Sequence, residues 1–149
     1  MTELRSIYYI IKIMITSKFQ IRTRYDEVDQ MGYVYHANYV KYCHQARTEL
    51  LRSIGIEDAV LEKHEVMLPV ISFDILYKTP AFYDELLTIE TSISVMPNVR
   101  LEFEFEIFNQ QEKLVSTALS TIVFVDKTKR TPMQVPAFVK DLLLPFFKR

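Results

Sequence analysis

The stretch Tyr25–Arg52, YDEVDQMGYVYHANYVKYCHQARTELLR, decides how this chain is read, because it runs from a carboxylate and a glycine turn directly into a helix. Asp29 stands three residues before Gly32, one of only two glycines among 149 residues. Glycine is where a chain turns tightly or lets a ligand approach its backbone. Beyond the turn the periodicity becomes helical. Tyr39, Tyr42, Cys43, Ala46, Leu50 and Ile54 recur at three- and four-residue intervals, and Lys41, Gln45, Thr48, Glu49 and Arg52 fall on the other side. Asn38 is placed to cap this helix and Gly55 to stop it, which predicts a helix over 38–54. A stripe of this kind packs, so Tyr39 and Tyr42 are expected in the core.

Working outward, Phe19–Arg24 alternates as a short strand leading into the Asp29 loop, and Gly55–His64 has room for a short helix. Four long segments rich in β-branched and aromatic residues follow: 66–78, 86–95, 99–108 and 113–125. Their breaks are turn-like: Thr79-Pro80, Pro97-Asn98 and Asn109–Glu112. In the third, Leu101, Phe103, Phe105 and Ile107 alternate with Glu102, Glu104 and Glu106, so one face is dry and the other wet. Long strands joined by short connections describe an antiparallel sheet, and the helix at 38–54 is the natural cover for its apolar face. Pro136–Phe147 reads as a closing helical turn or two, interrupted by Pro145.

Composition narrows the class. With 49% hydrophobic and 25% charged residues the chain is expected to form one domain over 1–149, with 1–18 as an N-terminal extension and 136–149 as a helical tail. Its 18 basic residues are interspersed among 19 acidic ones, for a net charge of −1, so the basic stripe that nucleic acid requires is missing. The single cysteine, Cys43, lies within the helical pattern, which suits a core residue in a reducing, cytoplasmic compartment. No apolar run approaches the ~20 residues of a membrane span. Ile7–Ile15 is short, is interrupted by Lys12 and lacks a cleavage site, so it does not read as a signal peptide. Met14, followed by ITSKFQIRTRY, offers an alternative start of translation.

The chemistry narrows by absences. There is no phosphate-cradling glycine loop, no dinucleotide fingerprint and no Gly-x-Ser-x-Gly elbow, and three histidines (His36, His44, His64) make a thin basis for a metal cluster. Asp29, Gly32, His36 and the helix start remain. A helix N-terminus offers unpaired N–H groups and about half a positive charge, which suits an oxygen gaining negative charge during attack on an acyl group. A carboxylate facing it could act as general base or nucleophile. On spacing alone the same residues are a turn carboxylate, a turn glycine and a helix-start residue, and that structural reading comes first.

Taken together, Tyr25, Asp29, Gly32, Val34, Tyr35, His36, Asn38, Tyr39, Ala46 and Arg47 resemble the signature of the 4-hydroxybenzoyl-CoA thioesterase-like hotdog proteins, especially the short-chain acyl-CoA thioesterases associated with the Tol-Pal cluster. Tyr77-Lys78-Thr79-Pro80, with Asp84 after it, extends the resemblance more loosely, from about Phe19 to Asp126. The resemblance implies an α+β hotdog fold, with the long central helix wrapped by an antiparallel sheet. It also implies a homodimer or homotetramer built edge to edge, with sites at the subunit interface. On this pattern Asp29 is the catalytic carboxylate, backbone N–H near His36 polarises the thioester carbonyl, and the His36 side chain places the acyl group or water. Gly32, Tyr35, Asn38 and His44 complete the substrate-binding set, with Lys78 and Arg100 for CoA. No metal and no cofactor beyond the CoA of the substrate is implied. One departure stands out: many relatives have Glu-x-Ala-Arg where this chain reads His44-Gln45-Ala46-Arg47. That replacement keeps open a non-catalytic acyl-CoA binder, beside a thioesterase acting on acyl carrier protein.

Overall fold

The alternation of Leu101, Phe103, Phe105 and Ile107 with three glutamates builds the middle strand of a five-stranded antiparallel sheet, dry on one face and wet on the other. The computed structural model describes residues 14–148. In chain order these form β1 (Ile15–Arg22), a 3-10 turn (Tyr25–Glu27), α1 (Asn38–Ser53), α2 (Asp58–Lys63), β2 (Val66–Met67), β3 (Val70–Tyr77), β4 (Leu86–Ile93), β5 (Arg100–Phe108), β6 (Leu114–Val123), β7 (Val125–Asp126) and α3 (Ala137–Phe147). The sheet order is β1-β4-β5-β6-β3, all antiparallel, and β2 pairs with β7 as a separate two-stranded ribbon.

Helix α1 lies across β1 and β4, as its apolar stripe dictates. Tyr42, Cys43, Ala46 and Leu50 are wholly buried, facing a sheet core that includes Leu87, Ile89, Phe103 and Ile107. Each such side chain contributes about 1.5–3 kcal/mol of burial, so this face fixes the helix on the sheet. Gly55 ends the run after α1 at φ +91, a conformation open to glycine. Burial raises the Cys43 thiol to about 12, which suits an inert core residue. Among the described residues no helix is long and apolar enough to cross a membrane.

Several boundaries differ from expectation for identifiable reasons. The first strand begins at Ile15 rather than Phe19, because buried Ile15 continues the inward row while Lys18 pairs with Glu90 at 3.3 Å across the sheet, so residues 15–18 belong to the fold and not to an extension. The rest of that extension, and Ile7–Ile13 of the apolar segment, lie outside the described residues. Asn38 is the first helical residue, not the cap; Ala37 precedes it and the Asn38 amide is spent on the Glu27 carbonyl at 2.8 Å. The segment 66–78 is two strands, since Pro69 cannot donate to a ladder and the chain shifts sheets around it. The segment 113–125 divides likewise between β6 and β7. Helix α3 runs on through Pro145, which has no N–H to give the Asp141 carbonyl, and Lys148 N–H still reaches the Leu144 carbonyl at 3.1 Å.

What joins this scaffold to the loop ahead of α1 is Glu27, only 3% exposed. Its Oε1 accepts the Arg24 N–H at 2.8 Å and the Tyr42 hydroxyl at 3.0 Å, and its Oε2 meets Lys41 Nζ at 2.9 Å. Its own carbonyl accepts the Tyr35 N–H and the Asn38 amide, both at 2.8 Å. Burial opposes the charge, but the bonds from Lys41, Arg24 and Tyr42 together hold this carboxyl below its ordinary value. A depressed folded-state value contributes stability above the ordinary glutamate range of about 4.3 and loses it as pH falls through the lower value. Glu27→Gln is therefore expected to cost about 2 kcal/mol in urea denaturation at neutral pH and to flatten the acid limb of stability against pH. An unchanged acid limb would show that Glu27 carries no linkage.

Candidate active site

The loop between the 3-10 turn and α1 is closed by its own backbone. Asp29 N–H donates to the Tyr33 carbonyl at 2.8 Å, and Gly32 N–H donates to the Asp29 carbonyl at 3.0 Å. Gly32 sits at φ +79 with open space where a Cβ would be, so the turn demands glycine for its backbone angle and not for close packing. Val34 N–H then docks on the Ala81 carbonyl at 2.8 Å, and the Tyr33 ring meets Phe82 edge to face at 5.4 Å. Thr23, buried, fastens the other side: its hydroxyl donates to the Phe82 carbonyl at 2.6 Å and accepts the Glu85 N–H at 2.9 Å. The loop is thus held against the segment before β4.

Within it, Asp29 Oδ1 accepts N–H bonds from Met31 at 2.9 Å and Tyr33 at 3.2 Å, an Asx turn that fixes the carboxylate. Among the described residues Oδ2 meets no protein donor. The same holds for the backbone N–H groups of His36 and Ala37 at the start of α1, whereas Tyr35 and Asn38 N–H are both satisfied, on the Glu27 and Tyr35 carbonyls. Asp29 and His36 line one groove of about 400 Å³, together with Tyr33, Tyr39, Tyr77 and Lys78. Its walls are largely aromatic: Tyr39 and Tyr77 meet at 5.5 Å, and burial pushes the Tyr39 phenol up to about 12, so it stays a neutral wall. This puts a carboxylate oxygen and one residue with an unsatisfied N–H, His36, in a single aromatic cleft, next to a helix N-terminus.

The expected site residues divide accordingly. Asp29 and His36 come together, Gly32 shapes the turn, the Tyr35 ring lies tilted against the His36 ring at 4.3 Å, and Lys78 stands exposed at the rim. Asn38 braces the loop through Glu27. His44 is not brought to the groove: its Nδ1 lies 3.1 Å from Arg47 Nη2, and burial, reinforced by the Arg47 charge, lowers its pKa. Arg100 begins β5 at the opposite end of the sheet, in a separate depression with Met96 and Asn98. Glu27, Thr23 and Tyr77 are the positioning residues that sequence reading passed over. The Arg24-to-Glu27 spacing of a capping box was the available signal for the first.

The chain is similar to known proteins in sequence and in fold. A sequence profile of the thioesterase-like superfamily matches residues 23–143. The chain is 36% identical over 121 residues to YneP of Bacillus subtilis (strain 168), described as a candidate acyl-CoA thioesterase, covering 81% of this chain and 88% of that one. It is 34% identical over 119 residues to the acyl-CoA thioester hydrolase YbgC of Escherichia coli O157:H7, covering 80% and 89%. Among solved structures, the DHNA-CoA thioesterase of Staphylococcus aureus superposes with a TM-score of 0.81 at 26% identity, covering 89% of this chain and 88% of the other. With the antiparallel sheet, the central helix and the groove at its start, these likenesses settle the family: the chain belongs to the thioesterase-like superfamily and has its hotdog fold.

Proposed function

We propose that the groove hydrolyses acyl-CoA thioesters, with Asp29 as general base or nucleophile and the His36 N–H group as oxyanion donor. The observation that carries this reading is that, among the described residues, Asp29, one of whose oxygens has no protein donor, and His36, whose N–H has no protein acceptor, line one cleft. The two needs are complementary to a thioester under attack. As the tetrahedral intermediate forms, negative charge gathers on the former carbonyl oxygen, where the His36 backbone dipole and the helix N-terminus favour it. Asp29 either takes the proton of the attacking water, which gives the free acid directly, or attacks the carbonyl itself, which gives an anhydride that water then cleaves; on both routes the C–S bond breaks and the CoA thiolate departs as the carbonyl reforms. The Oδ1 bonds to Met31 and Tyr33 leave the other oxygen to do this work. The acyl-CoA thioesterase activities ascribed to the Bacillus and Escherichia relatives support the CoA ester as substrate. His44, paired with Arg47 outside the groove, has no part in this scheme.

The second half of the proposal is quaternary. Among the described residues β3 has a sheet neighbour on one side only, and Val70, Ile71, Leu76 and Tyr77 along it are exposed. An open apolar edge of this length invites a second strand. In a two-fold, antiparallel pairing of β3 with its copy, the Val70 end of one protomer lies beside the Tyr77 end of the other. The groove, which Tyr77 lines, is then flanked by the partner. Lys78 at the rim is the first cation that the phosphates of CoA would meet, and Arg100, at the far end of its own sheet, would serve only through such an assembly.

Free-thiol release from a panel of aliphatic and aromatic acyl-CoAs tests the chemistry: Asp29→Asn is expected to lose on the order of 10²-fold or more in turnover, and wild-type turnover in that variant would refute the role. Light scattering at micromolar concentration is expected to give a mass of at least two chains; a monomer that still turns over substrate would remove the interface from the site.

A further inference from the structure

A buried cation that the proposed chemistry does not use lies in the second half of α1. Arg47 is 8% exposed, yet among the described residues no carboxylate forms an ion pair with it. Its Nη2 lies 3.1 Å from His44 Nδ1, its guanidinium carbon stands 5.9 Å from the centre of the Phe103 ring, and its Nε meets no acceptor. An imidazole nitrogen and an aromatic face both attract a guanidinium, but neither neutralises it. Burial, and then the Arg47 charge, lower the His44 pKa, so that imidazole stays neutral. A desolvated charge without a counter-charge is costly, which is why buried arginines pair with anions.

Arg47 is also one wall of a cleft of about 280 Å³ between α1 and the α2–β2 segment, which shares no residue with the Asp29 groove. Four further walls, Leu51, Ile56, Leu61 and Val66, are apolar and buried. A buried guanidinium beside apolar walls, in a space this small, matches a short aliphatic chain that ends in a carboxylate. Two acidic residues line the cleft as well. Glu62 is paired with Lys127. Asp58, exposed in the first turn of α2, has no ion-pair partner among the described residues. Burial lowers the Arg47 pKa and Asp58 acts through space against that loss of charge. The cleft therefore has room for one added negative charge on an otherwise apolar ligand, whereas the second charge of a dianion would meet Asp58.

We infer that this cleft is a second, non-catalytic binding site for a short aliphatic monocarboxylate, which pairs its carboxylate with Arg47 and lays its chain on Leu51, Leu61 and Val66. The free acid that acyl-CoA hydrolysis would release belongs to that class. Only this link to the product rests on the hydrolytic reading; the binding stands on the cleft alone. Sodium butyrate is the probe. In nitrogen–proton and methyl correlation spectra of the wild-type protein, the Arg47 Nε–H and the Leu51 and Val66 methyls are expected to shift together and to saturate, with a dissociation constant of about 1 mM or tighter. Butyramide, of the same shape without the charge, and sodium chloride at matched ionic strength are expected to move none of them. Succinate, a dianion at neutral pH, is expected to bind at least about tenfold more weakly, and the exposed change Asp58→Asn to tighten butyrate by about twofold to fivefold. The wild-type spectra need no variant of buried Arg47, so a folding defect cannot mimic the result. An Arg47 Nε–H that stays still at about 50 mM butyrate, or that moves equally with chloride, would overturn the inference. So would butyramide binding as well as butyrate, loss of butyrate in Asp58→Asn, or a shift confined to Tyr33 and His36, which would put the acid in the groove. Thioester turnover enters none of these readouts, so a protein that hydrolyses no thioester refutes the hydrolytic reading and leaves the butyrate result to decide the cleft.

Discussion

A buried carboxylate, that of Glu27, joins the parts of the molecule that would otherwise be independent. Its side chain ties the 3-10 turn to Tyr42 and Lys41 on the helix, and its carbonyl collects Tyr35 and Asn38 at the helix start. A charge with almost no exposure survives there because each oxygen has a partner, and removing any one of them leaves desolvated charge behind. The sheet supports the helix, the helix supports Glu27, and Glu27 holds the loop in which Asp29 presents one oxygen. The site is precise because its chain of support is short.

Much of this could be read from the sequence. The helix over 38–54 was legible because tyrosine, cysteine, alanine and leucine recur with one period, and the glutamates of β5 were legible because they alternate with phenylalanine and leucine. Such patterns record burial, which is the strongest physical signal a sequence carries. The tail was less legible: Pro145 is normally a breaker, yet α3 runs on for two residues beyond it. The split at Pro69 was visible as a proline and hidden as a change of sheet, since register depends on a partner strand nearly sixty residues away.

Of the site, Asp29 and His36, which the family signature singles out, line one groove, because motif residues adjacent in sequence stay adjacent in a tight turn. Tyr77 and Thr23 were not found as partners of that loop. Their hydrogen bonds, to His36 and to Phe82 and Glu85, span forty to sixty residues, and nothing local marks a tyrosine or threonine for such a task. His44 shows the opposite failure: it sits one turn from the motif along the helix, yet a helical residue faces where its angle points, and this one faces Arg47.

The Glu27 junction also makes the segment between it and Tyr42 intolerant of changes in length. Two ends of a sixteen-residue stretch are fastened to each other through one carboxylate, and within it the Asx turn, the Gly32 turn and the Val34 docking each consume a fixed number of residues. A single residue inserted in the first helical turn, between Asn38 and Tyr42, would rotate the helix start by about 100° relative to Tyr42 and so to the Glu27 carboxylate that Tyr42 holds. The β5–β6 hairpin is closed locally by Asn109, whose Oδ1 accepts the Gln111 and Lys113 N–H groups, with one tie beyond the turn, from the Leu86 N–H to Gln110 Oε1. Where homologous chains of unequal length are tolerated, the extra residues belong at hairpins of this kind, and the motif loop behaves as a cassette of fixed length.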